Sequence, residues 1–411
     1  MAEYDADVLI VGAGPAGAWA ARQLARGGAS VRLIDASHPR EKPCGGGLTA
    51  RCVTMVGDVL TRMPQVAIER VRFESPPVGW NPYPSPPRTP PSITVDIPRG
   101  DAGDPPSPLV VVSRLAFDAA LVDDAREAGA DLIPERAVDV QADAGSAWVS
   151  TRRRRWRGRF LIGADGANSL VRRRFHRPFP ASHWSLATGD FAAGASSREI
   201  VVRFVRKPPG YIWSFPRTDH LAIGICAPAD LAAGPALRHH LDRWLATQDV
   251  ARGCMKTPYS WPIPSLPVQA WADGVPAGQR WLLAGDAAGL VDPLTREGIY
   301  YALRSGELAA QSLLGTCAEP TKEYARAVQG ELVSELALSA RARGTFFSPL
   351  VTRLWIDVLR ESPRVRSLAL RTVIGTVGYY HLRRRAVASL EPGAALRVAR
   401  AQVARYLRLA P

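Results

Sequence analysis

Gly12, Gly14 and Gly17 follow the apolar run Val8 to Val11 in the spacing Gly-x-Gly-x-x-Gly, with Pro15 and Ala16 between the last two. Glycine at the first position makes a tight turn, at the second it admits backbone N–H groups to a pyrophosphate, and at the third it lets a helix pack closely on a strand. The helix that starts there points its N-terminal N–H groups at the anion. Asp35 stands roughly 20 residues on, at the end of a second apolar run, where a carboxylate accepts hydrogen bonds from a ribose. Strand, glycine turn, helix and terminal acid together specify a dinucleotide site.

Other side chains with chemical potential lie further along. Cys44 precedes Gly45, Gly46 and Gly47 in a polar loop whose glycines would let the backbone lie against a flat ligand. By its chemistry alone Cys44 reads as a small buried thiol. Arg114 opens a helical pattern carrying Phe117, Leu121 and Ala125, either to cap a phosphate or as a surface charge. Asp165 follows the strand-like Phe160 to Ile162, and Gly285-Asp286 follows Trp281 to Ala284; another helix begins near Gly298-Ile299. Tyr211, Trp213 and Phe215 alternate along one run, so a strand would place all three on one face, as a cavity wall or as core.

The elements that must position these residues are legible in outline. The first stretch reads βαβ, and Ser185 to Trp271 reads as strands divided by proline turns and one helix near 236–245, an antiparallel sheet. Ser75 to Leu109 is proline-rich with one strand-like piece, Ser92 to Ile97, and is expected in a substrate-side subdomain or lid. From Gly298 to Leu409 the pattern is helical. The chain has 411 residues and a net charge of +14, with lysine only at positions 42, 207, 256 and 322. Its densest basic run, Arg152 to Arg155 with Arg157 and Arg159, lies between two strand-like pieces and reads as a solvated hairpin; no nucleic-acid partner is expected. Five scattered cysteines without CxxC spacing indicate neither disulfides nor a metal site. No segment resembles a signal peptide or a membrane span, and a cytoplasmic protein is expected.

The order Gly-x-Gly-x-x-Gly, acid, Gly163-Ala-Asp165-Gly, Gly285-Asp286 resembles FAD-dependent enzymes of the para-hydroxybenzoate hydroxylase fold. Within that group Lys42-Pro-Cys44-Gly-Gly-Gly-Leu48 and Gly210-Tyr211-Ile-Trp213-Ser-Phe215-Pro216 resemble the geranylgeranyl reductase family, from Ala6 to about Leu314. The resemblance implies an α/β chain, α+β overall: a discontinuous Rossmann-type FAD-binding domain (1–74, 110–178, 272–315), an antiparallel substrate domain (75–109, 179–271) and a helical C-terminal region (316–411). It assigns the FAD pyrophosphate to Gly12–Gly17 and the ribose to Asp35. Further cofactor contacts fall to Cys44, Gly45, Gly46, Arg114 in an Arg-x-x-Phe-Asp pattern, Val138, Asp165, Gly285 and Asp286. Gly298 and Ile299 would meet the flavin's pyrimidine edge, where helix N–H groups face developing negative charge. Tyr211, Trp213, Phe215 and Pro293 would line the substrate cavity. Arg296 departs from the family, which has glycine there; it either stiffens the loop or presents a charge to substrate or nicotinamide.

The implied activity is flavin-dependent saturation of C=C bonds in an isoprenoid chain, geranylgeranyl-type, on a lipid, quinone or pigment precursor. Cys44 is the candidate proton donor, and NADPH, NADH or ferredoxin the external electron donor. A flavin monooxygenase or halogenase is the alternative, disfavoured by the Cys-Gly-Gly-Gly loop; a lipid- or quinone-binding flavoprotein without turnover is a third reading. Leu350, Leu354, Trp355 and Leu359 beside Arg353 and Arg360, and Tyr379-Tyr380 beside Arg383 to Arg385, suggest peripheral contact with a membrane, against the alternative that these helices pack on the body of the protein.

Overall fold

The computed structural model describes residues 4–75, 91–98, 107–272 and 274–380, with residues 385, 388 and 389. Val8 to Val11 is apolar on consecutive residues, the composition of a strand covered on both faces. Accordingly Ala6–Val11 is central in the first sheet, parallel to Val31–Ile34 on one side and to Arg155–Gly163 on the other. Asp131–Ile133 extends the sheet beyond Val31–Ile34, Trp281–Leu283 pairs in parallel with Arg155–Gly163, and Asp139–Ala142 with Ala147–Ser150 completes seven strands. The basic run is the expected hairpin: Ser150 pairs with Arg155 and Ala147 with Gly158. Its arginines have local partners, Arg154 on Asp5 and over the Trp156 ring, Arg155 and Arg157 over Trp148.

The helices are α1 (Pro15–Arg26), α2 (Ala50–Leu60), α3 (Arg114–Glu127), α4 (Leu170–Phe175), α5 (Gly234–Leu245), α6 (Ile299–Leu314), α7 (Pro320–Val328), α8 (Ser334–Phe346), α9 (Pro349–Glu361) and α10 (Pro363–Val373). Helix α6 crosses α1 at short range, because a Cβ on Gly306 would stand 2.4 Å from the Ala16 carbonyl oxygen. Helix α7 is tied to the same body by the buried Tyr324 hydroxyl, which donates to the Leu283 carbonyl at 2.6 Å.

The second sheet runs Lys256–Pro264, Trp184–Ala193, His220–Pro228, Gly210–Pro216, Glu199–Val205, Arg70–Glu74, Ser92–Asp96. All neighbours are antiparallel except Glu199–Val205 and Arg70–Glu74. The chain therefore crosses into this sheet before Arg70 and not after residue 74, since Val71 and Phe73 alternate inward to its core. Ser92–Asp96 is the strand expected in the proline-rich stretch; residues 76–90 and 99–106 of that stretch lie outside the described residues. Helix α5 covers one face with Leu237, Leu241 and Trp244. A small third sheet, Gly47–Leu48, Val66–Ala67 and Val110–Val111, was not foreseen and anchors the loop after Cys44.

Helices α9 and α10 lie on the second sheet: Ile356, Leu359, Val365 and Leu370 share a core with Phe73, Ile200 and Phe204. The apolar stripe expected to meet a bilayer is thus spent on packing. Arg353 faces Asp357 at 3.7 Å and Arg360 donates to the Ser92 carbonyl. Tyr379 is half-buried, whereas Tyr380 is 67% exposed. The Leu350 side chain, Arg383 and Arg384 lie outside the described residues. Among those described, no helix is long and apolar enough to cross a membrane.

Gly306→Ala should lower stability by about 1–3 kcal/mol, the usual cost of overpacking, despite alanine's higher helix propensity. Urea unfolding measures it; an unchanged midpoint would show that α1 and α6 separate freely.

Candidate flavin and substrate site

The glycine turn owes its shape to backbone approaching backbone. A Cβ on Gly12, at φ +102°, would stand 2.4 Å from the Ala164 oxygen, and one on Gly17 would stand 1.8 Å from the Gly12 oxygen. Gly14 is the N-cap of α1, Pro15 its first residue, and neither a side-chain cap nor an acid occupies the first turn. The leading N–H groups of α1 are therefore left for an anion. Gly285 joins this turn, because its Cβ would lie 3.1 Å from that of Ala16. Asp286 places one carboxylate oxygen beside Gly298 and pairs the other with Lys42 at 3.1 Å. Gly298 caps α6 through its backbone alone, again with no acid in the first turn, and Ile299 is buried behind it. Two uncapped helix N-termini and a carboxylate thus converge from three separated motifs, which suits a dinucleotide with a pyrophosphate and an electron-accepting ring.

Asp35 follows directly on the strand Val31–Ile34, and its carboxylate is already engaged within the chain. It accepts from the Ala13 N–H at 2.9 Å, from Ser37, and from His38 Nδ1 at 2.8 Å. Burial opposes its charge, but His38 and the N–H groups of Ala13 and Ser37 hold its pKa well below the usual carboxylate range. His38, unmarked in the sequence reading, also faces Asp118 at 3.5 Å; burial works against its protonation, yet these two acids push its pKa up. Arg114 is buried and turns onto Asp118 at 2.8 and 2.9 Å, with the Cys44 side chain as a further partner. Asp165 accepts from Ser169 and from the N–H groups of Leu170 and Val171, so it caps α4 and holds the turn that presses on Gly12. Val138 is 47% exposed and donates its N–H to the Ser150 carbonyl.

The Cys44 loop does lie against a flat group, and within the protein that group is a side chain. Cβ atoms on Gly45 and Gly47 would approach the Phe215 ring to 3.1 and 2.9 Å. Cys44 Sγ accepts from the Gly46 N–H at 3.3 Å. From the end of the neighbouring strand, Arg217 donates to the Cys44 carbonyl at 2.6 Å and pairs with Glu41. Glu41 in turn accepts from the Ser113 hydroxyl and the N–H groups of Arg114 and Leu115, completing the N-terminus of α3. No sequence motif marks Arg217 or Glu41, although a charge directly after Phe215-Pro216 in a buried run is a usable signal.

Tyr211, Trp213 and Phe215 share one face of their strand, as alternation required. Tyr211 lies opposite Cys226, Trp213 opposite Gly224 and Phe215 opposite Ala222. Trp213 is buried, while Tyr211 and Phe215 remain half-exposed toward the flavin-side loops. The Tyr211 hydroxyl donates to the Thr295 carbonyl at 2.5 Å and its ring stacks on Phe347. Tyr259 closes the same face, its hydroxyl donating to the Ile223 carbonyl at 2.8 Å. Pro293 is buried in the turn built by Asp292, which accepts from the N–H groups of Leu294 and Thr295 and from Ser339.

Glu297 likewise carries no motif signal in the sequence. Its carboxylate turns away from the loop to accept from Thr49 at 3.0 Å. Burial pushes its pKa up to about 7, against the pull of Arg51 and Thr49.

Residues 5–230 match the family of FAD binding domains. The chain is 34% identical over 337 residues to menaquinone reductase of Mycobacterium tuberculosis, covering 75% of this chain and 76% of the relative. It is 30% identical to geranylgeranyl diphosphate reductase of Rhodobacter capsulatus over 75% of each. Its fold is similar to a geranylgeranyl bacteriochlorophyll reductase-like protein of Thermoplasma acidophilum, with TM-score 0.70 at 22% identity over 86% of this chain and 91% of that one.

The Glu297 carboxyl yields a pH test. With its folded pKa raised above the unfolded value, the cost of burying its charge is full above about pH 7 and vanishes below about pH 4.5. On moving from pH 8 to pH 5, the parent should therefore gain stability relative to Glu297→Gln, on the order of 2–3 kcal/mol. Urea midpoints at the two pH values measure the gain, and parallel curves would place the Glu297 carboxyl in water.

Proposed function

The chain belongs to the family of FAD-dependent reductases that includes menaquinone reductase and geranylgeranyl diphosphate reductase, and from that premise we propose that Cys44 is its proton donor in the saturation of isoprenoid C=C bonds. The first sheet and its helices act as the flavin domain and the second sheet as the substrate domain. The cofactor is held by the N–H groups of α1 at the pyrophosphate, by Asp286 with Lys42, and by the N-terminus of α6 at the ring's pyrimidine edge. When bound and reduced, FAD supplies a hydride to one carbon of the double bond.

Everything else falls to the chain's own side chains. The face made by Tyr211, Trp213, Phe215 and Tyr259 is apolar and flat enough to hold a prenyl chain and keep water from it. Cys44 gives its proton to the second alkene carbon, with the Arg114 side chain beside it. The observation that carries this reading is the seating of the Cys44 loop on Phe215: the glycines bring the thiol to the edge of the aromatic face. Two clefts of about 490 and 500 Å³ border Arg198 instead, sharing only Arg217 with the site, and their charged linings do not suit a prenyl chain. The same loop favours reduction over oxygen chemistry, which has no use for a proton-donating thiol at the alkene.

The electron donor is external, with NADPH, NADH and ferredoxin as candidates. Isoprenoid chains are sparingly soluble, and the exposed Tyr380 with exposed Arg385 offers a small contact for an anionic membrane surface. Co-sedimentation with anionic but not neutral vesicles is the expected result, and no sedimentation with either rejects that contact.

Cys44→Ala should keep FAD and accept electrons yet lose alkene reduction by about 10²-fold or more. Anaerobic reduction with dithionite, followed by mass analysis of prenylated quinones and prenyl diphosphates, provides the readout. Full turnover in the variant removes Cys44 from the chemistry; no saturated product from the parent on any isoprenoid rejects the reading itself.

A further inference from the structure

Arg296 is the one non-glycine among the described residues with positive φ, at +63°. A side chain in that region is strained, and such strain persists where surrounding structure enforces it. What the strained turn does is present a guanidinium to the far end of the aromatic face. Arg296 Nε donates to Ser185 Oγ at 3.0 Å, two positions along the strand from Ala187, which lies opposite Cys226, itself opposite Tyr211.

A second arginine arrives from α8. Arg343 donates to Ser265 Oγ at 2.7 Å and to the Ser265 carbonyl at 3.0 Å. Ser265 is tied to His183 by a backbone hydrogen bond at 2.7 Å, so both serines sit on the same pair of neighbouring chain segments. Neither arginine has a carboxylate within ion-pair distance among the described residues, unlike Arg51, Arg114, Arg217 and Arg304. Their hydrogen bonds go to hydroxyl and carbonyl oxygens. Burial and the neighbouring Arg296 push the Arg343 pKa down, against the exposed Asp230; burial, Arg172 and Arg343 do the same to His183. Half-buried like charges that weaken one another call for an anion.

We propose that Arg296 and Arg343, with Ser185 and Ser265, form a subsite for the phosphate or diphosphate headgroup of the substrate, and thereby select anionic isoprenoids over neutral ones such as quinones. The inference rests on the reading of the aromatic face as the isoprenoid site. A strand rises about 3.4 Å per residue, so Phe215 and Tyr211 are separated by roughly 14 Å. The prenyl chain thus has the face to lie along, with its head at Arg296 and its reacting bond toward Cys44.

The test uses FAD-loaded protein and two variants, Arg296→Gly and Arg343→Gln. Glycine tolerates the positive φ, so Arg296→Gly removes charge and strain together and should fold at least as well. Calorimetric titrations with geranylgeranyl diphosphate, geranylgeraniol and inorganic diphosphate compare the headgroup, the chain alone and the free anion. The parent should bind the prenyl diphosphate at least about 10-fold more tightly than the alcohol, and each variant should lose about 10-fold or more of that preference, the scale of one charge-assisted hydrogen bond. Equal binding of diphosphate and alcohol by the parent, or a preference untouched by both variants, overturns the subsite. Inorganic diphosphate bound as tightly as the prenylated form also overturns it, assigning the cations to a free anion. These titrations do not depend on turnover: a protein that binds the prenyl diphosphate through Arg296 yet saturates no isoprenoid keeps the subsite and loses the proposed reaction.

Discussion

A wholly buried guanidinium joins the two halves of the site. Arg217, with none of its side chain exposed, reaches from the end of a second-sheet strand to Glu41 and to the Cys44 carbonyl of the flavin-side loop. Removing one partner of a buried ion pair leaves an uncompensated charge, so the contact tolerates little movement. Its geometry sets how the Cys44 loop meets the sheet, and with it where the thiol and Phe215 stand. Because Glu41 also completes the N-terminus of α3, the helix that carries Arg114 and Asp118 is positioned by the same network.

Around that clasp the structure alternates between close backbone approach and deliberate vacancy. At Gly12 and Gly17 no side chain fits, and the turn is pressed between Ala164 and the start of α1. At the N-termini of α1 and α6 the opposite holds: the usual serine, threonine or aspartate caps are missing, and the helices keep their leading N–H groups free. Helices α3 and α4 by contrast are capped by Ser113 and Ser169.

The C-terminal helices belong to the same logic. Their apolar stripe covers the sheet beside the aromatic face, and Phe347 stacks on Tyr211. Helix α8 brings Ser339 to Asp292 and Arg343 to Ser265, so the loop carrying Pro293, Arg296 and Glu297 is braced from the C-terminal side. A segment beyond the reach of the family resemblance therefore packs against the aromatic face.

The local chemistry was determined by the sequence alone. Glycine spacing, the apolar run before it and the alternation of Tyr211, Trp213 and Phe215 act within a few residues, and each produced the turn, strand or face that its stereochemistry requires. Asp35, Asp286 and Gly298 were likewise placed by what lies immediately beside them. Tertiary structure decided which charges meet: Arg217 finds Glu41 176 positions away, and Thr49 finds Glu297 248 positions away. It also brought His38 to Asp118, 80 positions away, and spent the stripe of α9 on a core instead of leaving it for a bilayer. An amphipathic helix carries the same pattern whether a sheet or a membrane covers it, and a charge carries no mark of its partner. Burial, which sets both outcomes, exists only once the chain has folded.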